Sequence, residues 1–188
     1  MLKKQILDSQ KAQNSLLIIE KNINFAINKV FNKIKTGGKI FLCGNGGSAA
    51  DAQHLAAEFL VRLRPHINRR PISALSLALD TSTLTACSND YSFKKIFSRN
   101  LEALGCSKDV LIAITTSGKS TNIIEVLKTA KKMKIFSICF LGNGGGTAKK
   151  YADINLIVKS KITARIQESH IFLGHYIFEC VENMLLKK

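Results

Sequence analysis

The chain contains, at residues 39–58, the segment KIFLCGNGGSAADAQHLAAE. Residues 39–43 form a short apolar run of strand length, and the residues after Ser48 have the composition of a helix. Three glycines and a serine join the two parts. Such a turn leaves backbone N–H groups open at the positive end of the following helix. The segment therefore predicts an anion site, and phosphate is the usual anion in such sites.

Two side chains on the same predicted helix add chemistry to this anion site. His54 and Glu58 are four residues apart, so they lie on one helical face about one turn from each other. From this position they can share a metal ion or act on one substrate. The pair indicates a reactive site next to the phosphate turn.

Strand-like and helix-like segments alternate along the rest of the chain. Strands are predicted at 39–43, 72–77, 110–114, 135–140 and 154–158, and helices at 48–63, 92–104, 120–132 and about 165–186. Continuous apolar strands between amphipathic helices are typical of a doubly wound, flavodoxin-like α/β fold with a parallel five-stranded sheet and helices on both faces. Ligands bind at the carboxyl ends of the strands in such sheets, which selects the loops after 39–43 and 110–114.

The N-terminal residues 3–36 have apolar side chains mostly at helical spacing, which predicts one long helix or a helix with a break. Gly37 and Gly38 then end it. A helix of this length exceeds what one small sheet can cover. We therefore expect the 1–36 segment to pack on another subunit, within a chain that forms a single domain over 1–188.

A second polar loop follows the third predicted strand. Residues 115–122 read TTSGKSTN, with five hydroxyls and a glycine in eight residues. Neutral donors of this kind can surround a phosphate, although Ser120 or Thr121 could instead cap the next helix. The glycine-rich residues 142–146 lack a serine and are interpreted as a turn.

Two further places carry candidate site residues. Asn89 and Asp90 are predicted in the loop before helix 92–104, where Asp90 either binds a sugar hydroxyl or caps that helix. Gln167 and His175 are eight residues apart on the last helix, which is about 12 Å of rise and about 80° of rotation.

Composition limits the classes of function. The chain has 188 residues, 46% of them hydrophobic, and a formal net charge of +15. No run approaches the roughly 18 apolar residues of a membrane span, and the lysine-rich start lacks a signal-peptide core, which favours a cytoplasmic protein without membrane association. Five cysteines without CxxC spacing indicate reduced thiols. The lysines are scattered, so we expect the charge to attract an anionic small substrate rather than nucleic acid.

The motifs GNGGSAADAQH, SND, TTSGKS and ARIQESH, followed by GH, resemble those of the phosphoheptose isomerases of the sugar-isomerase (SIS) domain family. The resemblance covers essentially the whole chain. It implies an aldose–ketose isomerase that converts sedoheptulose 7-phosphate to D-glycero-D-manno-heptose 7-phosphate by ene-diol proton transfer. This is the first step towards the nucleotide-activated heptose of lipopolysaccharide and capsule. The alternatives are a non-catalytic SIS tetramer that binds a protein such as the replication initiator, and a phosphosugar-sensing regulator.

The resemblance also implies the site. It implies a homotetramer with sites at subunit interfaces, in which Glu58 is the base at carbon and His175 carries the proton between oxygens. One zinc ion per subunit would be bound by His54, Glu58, Gln167 and His175. The implied substrate contacts are Asn45, Gly46, Gly47, Ser48, Glu58, Asn89, Asp90, Thr115, Thr116, Ser117, Ser120 and Gln167. The chain departs from the commonest family pattern at Lys119, where many relatives have asparagine, and at Cys87-Ser88.

The spacing of Gln167 and His175 limits whether both can bind one metal ion from the same chain. Two side chains about 12 Å apart along one straight helix reach a common metal only in an improbable pair of rotamers. We therefore expect at least one metal ligand to come from a neighbouring chain, unless the helix is broken. If the site is shared in this way, co-assembled Glu58→Gln and His175→Ala chains should recover activity.

Overall fold

A computed structural model describes residues 1–187, and Lys188, the last residue of the predicted domain, lies outside them. The strands are β1 (Ile40–Gly44), β2 (Ala74–Ser76), β3 (Val110–Thr115), β4 (Phe136–Leu141) and β5 (Ile154–Ile157). All neighbouring strands are parallel, in the order β2-β1-β3-β4-β5. The predicted doubly wound, flavodoxin-like sheet is thus confirmed. The strand order reverses between β1 and β3, which is where such folds bind ligands.

The helices surround this sheet. Within residues 1–187 they are α1 (Leu2–Asn14), α2 (Glu20–Lys35), α3 (Gly47–Leu60), α4 (Thr81–Asp90), α5 (Ile96–Leu104), α6 (Thr121–Lys132) and α7 (Thr163–Leu186). Short 3-10 turns lie at Ser15–Ile19, Phe93–Lys95, Asn143–Gly145 and Ala148–Lys150. All the predicted helices are present, with boundaries shifted by a few residues, and α4 is additional.

Alternating side chains place one apolar layer on each face of the sheet. In β1, Ile40 and Leu42 join the layer formed with α1, α2, α3 and α7, whereas Phe41 and Cys43 join the layer formed with α4, α5 and α6. Because both faces are covered, the central strands β1 and β3 have almost entirely apolar side chains rather than alternating polar ones. The predicted placement of helices on both faces is confirmed.

The N-terminal segment is broken, as one of the two predictions allowed. A 3-10 turn at Ser15–Ile19 separates α1 from α2. The Ser15 hydroxyl donates to the Ala12 carbonyl at 2.6 Å and accepts from the Lys159 N–H at 3.0 Å. The buried serine therefore anchors the break to the loop that precedes α7. Large apolar side chains remain exposed along this segment, at Leu2, Ile6, Leu7, Leu17 and Ile18.

Helix α4 was not predicted, and it changes the position of Asn89 and Asp90. Its sequence, TSTLTACSND, is rich in Ser and Thr, which favour turns and caps over helix interiors. The Asp80 carboxylate accepts from the Ser82 N–H at 3.0 Å and so caps this helix. Asn89 and Asp90 therefore end α4, so the prediction of a loop there is wrong. Of the two alternatives for Asp90, the cap of the next helix is excluded, because Ser92 and Lys95 stand at the following helix starts.

Other sequence predictions can be compared directly with the structure. Cys43 and Cys139 are buried in β1 and β4 as expected, and burial raises the pKa of both thiols. The five cysteines are all unpaired. In the part of the chain that the structure describes, no helix is long and apolar enough to cross a membrane.

A buried histidine gives the fold a pH-dependent stability. His170 packs beside Phe140, and burial lowers its pKa to about 4. The unfolded chain therefore binds more protons than the folded chain between about pH 6.5 and pH 4, and stability falls as the pH falls.

We expect the free energy of unfolding to drop by about 2 kcal/mol from pH 7 to pH 5 through this group. Urea titrations at both pH values should show a smaller drop in His170→Phe and an unchanged one in His66→Phe, an exposed control. Equal drops in wild type and His170→Phe would contradict this account.

Candidate functional site

A polar cavity of about 230 Å³ opens where the carboxyl ends of β1 and β3 meet. Hydroxyl and amide groups dominate its wall. It is lined by Asn45, Ser48, Ile114, Thr115, Thr116, Ser117, Ser120, Thr163 and Gln167. No charged side chain is among these residues, so an anion here would be held by neutral donors near the start of two helices. Both loops selected from the sequence thus meet at one cavity.

The loop between β1 and α3 contacts the Gln167 side chain of α7. Gly46 has a positive φ of 55° immediately before α3, and the Ser48 N–H closes the turn on the Asn45 carbonyl at 3.1 Å. A Cβ at Gly47 would lie 2.4 Å from Gln167 Nε2. Only a glycine therefore lets the Gln167 amide approach the start of α3. This close approach places Gln167 at the cavity.

The second loop is braced from outside the cavity. The Gly118 N–H donates to Thr115 Oγ1 at 3.3 Å, and the Ser120 hydroxyl lies 3.4 Å from the same oxygen. Ser120 precedes α6, but its hydroxyl makes no hydrogen bond that caps the helix. The alternative in which Ser120 serves as a helix cap is therefore not supported. The Gly118 carbonyl accepts from the Ala148 N–H at 2.8 Å, and the 142–146 turn packs against Gly118. The glycine-rich turn therefore supports the second loop, in agreement with its interpretation as a turn.

A separate cluster of reactive side chains lies between α3 and α7. His54 Nε2 is 2.8 Å from His175 Nε2 and 3.3 Å from Glu58 Oε1. Ligand atoms of all three residues lie within 4.8 Å of one another. Burial lowers the pKa of His175, and the nearby His54 lowers it further, against the opposing effect of Glu58. The His175 ring is therefore held neutral at neutral pH, as a metal ligand or a proton acceptor must be.

The packing of α3 on α7 sets the geometry of this cluster. A Cβ at Gly174 would lie 2.4 Å from Leu55 Cδ1, so the glycine allows the two helices to approach closely. One turn further along, the Phe59 and Phe178 rings stack with centroids 3.8 Å apart and planes at 9°. These contacts involve the chain neighbours of His175 on α7 and of His54 and Glu58 on α3.

A buried ion pair joins α7 to the segment that follows α3. The Glu182 side chain on α7 is 0% exposed, and its two oxygens accept from Arg64 Nε at 2.7 Å and Arg69 Nε at 2.5 Å. Arg69 also donates to the Glu58 carbonyl at 2.8 Å and to the Phe59 carbonyl at 2.9 Å. These are carbonyls of the last turn of α3, which have no partner within the helix. Arg69 thus ties the Glu58 backbone to α7.

Three of the four expected metal ligands, His54, Glu58 and His175, cluster within one chain. The fourth, Gln167, lines the cavity with its amide close to Gly47. Helix α7 is continuous from Thr163 to Leu186, so the alternative of a broken helix is excluded. Because Glu58 and His175 belong to the same cluster of one chain, the expected recovery of activity in mixed Glu58→Gln and His175→Ala oligomers does not follow from this geometry. That a neighbouring chain supplies a ligand, such as Gln167, stays a prediction.

Asn89 and Asp90 lie apart from both groups. Each is exposed at the end of α4, and the Asn89 amide donates to the Asp90 carboxylate at 2.9 Å. Among the residues that the structure describes, neither of them lines the cavity or joins the histidine cluster. A sugar contact from these two residues therefore remains a hypothesis about an assembled oligomer.

The sequence model of the SIS domain matches residues 4–142. The chain belongs to the SIS domain family. A phosphoheptose isomerase from Campylobacter concisus is 45% identical over 97% of this chain and 95% of its own length. One from Clostridium acetobutylicum is 46% identical over 96% of this chain and 93% of its own length. The solved structure of a phosphoheptose isomerase from Neisseria gonorrhoeae is 37% identical, with a TM-score of 0.89 over 97% of this chain and all of that one.

Some residues of this SIS domain site were missed from the sequence. Thr163 is the first residue of α7 and lines the cavity. Arg69 donates to backbone carbonyls next to the cluster, and the Glu182 carboxylate pairs with Arg69. Of these residues, Glu182 alone could have been noticed in the sequence, because it is a carboxylate on the apolar side of the last helix and so needs a buried partner. Arg69 lies in an irregular segment, where sequence periodicity carries no information on contacts.

The Glu182 ion pair predicts a large stability effect with an internal control. Glu182→Gln leaves Arg69, whose side chain is 4% exposed, without its counter-charge. Breaking a buried pair in this way costs about 3–5 kcal/mol. Glu179 contacts the same Arg64 from the same helix but is 51% exposed, so Glu179→Gln should change the free energy of unfolding by less than about 1 kcal/mol. Urea unfolding of both variants measures the difference, and equal effects would show that the buried pair is not what holds α3 to α7.

Proposed function

We propose that this protein is a phosphoheptose isomerase, an aldose–ketose isomerase that converts sedoheptulose 7-phosphate to D-glycero-D-manno-heptose 7-phosphate. The observation that carries the proposal is the His54–Glu58–His175 cluster, which lies on the same helix pair that borders the anion cavity. The similarity to phosphoheptose isomerases over nearly the full chain supports the same substrate. The product is the precursor of nucleotide-activated heptose for lipopolysaccharide and capsule.

The two groups are spaced along α3 as a phosphosugar requires. Ser48 lies at the start of α3 and His54 six residues later, which is about 9 Å of helical rise. An extended seven-carbon sugar phosphate spans a comparable length. We assign the phosphate to the cavity, with Gly46 and Gly47 of the first turn beside it, and the C1–C2 end of the sugar to the cluster.

The chemistry requires two proton transfers. The Glu58 carboxylate takes the proton from C1 of the ketose and returns it to C2, which passes through an ene-diol. The His175 ring gives a proton to the C2 oxygen and takes one from the C1 hydroxyl, so that charge and atoms balance. The lowered pKa favours a neutral His175 ring at the start, which donates its N–H proton to the C2 oxygen and regains a proton from the C1 hydroxyl, so the ring ends as it began. The Arg69 bonds to the last carbonyls of α3 hold Glu58 in place for both steps.

A zinc ion fits the same residues. Two imidazole nitrogens and one carboxylate oxygen within 4.8 Å are a donor set that zinc accepts, with a position left for a further ligand. His54, Glu58 and His175 would hold the ion, with Gln167 as the fourth proposed ligand, and one ion would serve each subunit. When bound, zinc would either polarise the sugar oxygens, in a site that gains a ligand, or only hold Glu58 and His175 in position.

We infer a homotetramer with its sites at subunit interfaces and the whole chain as one domain. The exposed apolar side chains of α1 and the Ser15–Ile19 turn continue into a groove of about 290 Å³ that Phe172 and Tyr176 of α7 also line. A second copy of the chain is the occupant proposed here, because such side chains are unfavourable in water. Across that interface Asn89, Asp90 or Gln167 of one chain would reach a site of another.

The inferred location is the cytoplasm, where unpaired thiols stay reduced. The net charge of +15 suits an anionic substrate. No nucleic acid or membrane partner is proposed. A non-catalytic SIS tetramer that binds a protein such as the replication initiator would have no use for the histidine cluster, and no feature of residues 1–187 favours it.

The central test is turnover of sedoheptulose 7-phosphate by the purified protein. Glu58→Gln keeps the shape of the side chain but removes the proton acceptor, so kcat should fall by at least about 100-fold while the chain stays folded. Glu102→Gln, at an exposed position on α5, is the matched control and should keep wild-type kcat. No turnover by the wild-type enzyme would refute the proposed function, and near-wild-type kcat in Glu58→Gln would refute the assignment of the base.

A further inference from the structure

Two asparagines join the loops on either side of the cavity. Asn45 follows β1 in the first loop, and Asn122 lies in the first turn of α6, after the second loop. Asn45 Nδ2 donates to Asn122 Oδ1 at 2.9 Å, and Asn122 Nδ2 donates to Asn45 Oδ1 at 2.7 Å. The two amides therefore form a reciprocal pair across 77 residues of sequence.

The two members of the pair differ in exposure. Asn45 lines the cavity, whereas Asn122 is 1% exposed and does not line it. Asn122 thus has no surface with which to touch a ligand. Any effect of Asn122 on binding has to act through Asn45 or through the distance between the two loops.

The backbone of α6 fixes the orientation of both amides. The Ile123 N–H, which can only donate, lies 3.0 Å from Asn122 Oδ1. This defines the oxygen of the Asn122 amide and leaves its Nδ2 to face Asn45 Oδ1. The Asn45 amide is oriented in turn, with one of its two N–H groups outside the pair and free for a ligand at the cavity.

We propose that Asn122 is a positioning residue for the anion site: it aims the Asn45 amide and sets the separation of the two loops. The inference rests on the proposed function only in taking the phosphate of the substrate as the anion. The loops follow β1 and β3, neighbouring strands whose register fixes their ends but not the conformation of the residues beyond them. A buried, fully paired amide supplies that missing constraint, because breaking it would leave polar groups without partners.

Two variants of different chemistry test the proposal. Asn122→Asp keeps the shape and the acceptor for Ile123 but loses the donor to Asn45, and Asn122→Ala removes the amide without adding charge. Both should raise KM for sedoheptulose 7-phosphate, and the inhibition constant of inorganic phosphate, by the same factor of about 10. Values of kcat should stay within about threefold, and the pH profile of kcat should not move, because Glu58 and His175 are untouched.

Thr129→Val is the matched control, since Thr129 is a buried polar residue of the same helix away from the cavity. It should leave KM and the phosphate inhibition constant unchanged. A fall in kcat at constant KM in the Asn122 variants would show that Asn122 serves folding only. Weaker phosphate binding in Asn122→Asp but not in Asn122→Ala would show charge repulsion in place of amide orientation. Either result overturns the proposal.

Calorimetric titration with inorganic phosphate separates this proposal from the proposed function. If the wild-type enzyme does not turn over the heptose phosphate, the proposed function fails, but the phosphate affinities of wild type and both variants still decide the role of Asn122. Parallel loss of phosphate affinity in both variants supports the proposal. Equal affinities in wild type and variants, or no phosphate binding by the wild type, overturn it.

Discussion

The contact between α3 and α7 is the constraint on which the site depends. Gly174 lets the helices approach at Leu55, the Phe59 and Phe178 rings fix their lateral position, and Arg69 ties the end of α3 to Glu182. Every member of the histidine cluster is on one of these two helices. A cluster of reactive groups needs such rigid support, because these groups lose efficiency when they are misplaced.

The anion cavity has a different origin in the same fold. Parallel strands bring the loops after β1 and β3 to one edge, and the reversal of strand order opens the space between them. Neutral hydroxyls and amides line that space. The positive electrostatic potential that would attract an anion therefore comes from the N-terminal ends of the helices. Because α3 runs from this cavity to the cluster, one helix connects the proposed phosphate site to the proposed proton-transfer residues.

The segment 39–58 was sufficient to predict the strand, the turn, the helix and the His54–Glu58 pair, because each follows from local periodicity. Helix α4 was missed since its Ser and Thr residues indicate turns, and the position of Asn89 and Asp90 was wrong for the same reason. The partners of Arg69 and Asn122 depend on contacts distant in sequence, which no local pattern contains. The spacing of Gln167 and His175 predicted a metal ligand from a neighbouring chain, but it could not show that His175 meets His54 within one chain.

Anomalous diffraction at the zinc absorption edge, from crystals of the full chain grown with zinc, tests the central claim most directly. That claim is that the packing of α3 on α7 builds a metal site within one chain. The account predicts one peak per chain, bonded to His54, Glu58 and His175 of the same chain. A peak whose Glu58 and His175 ligands come from different chains, or no peak at these residues, would contradict it.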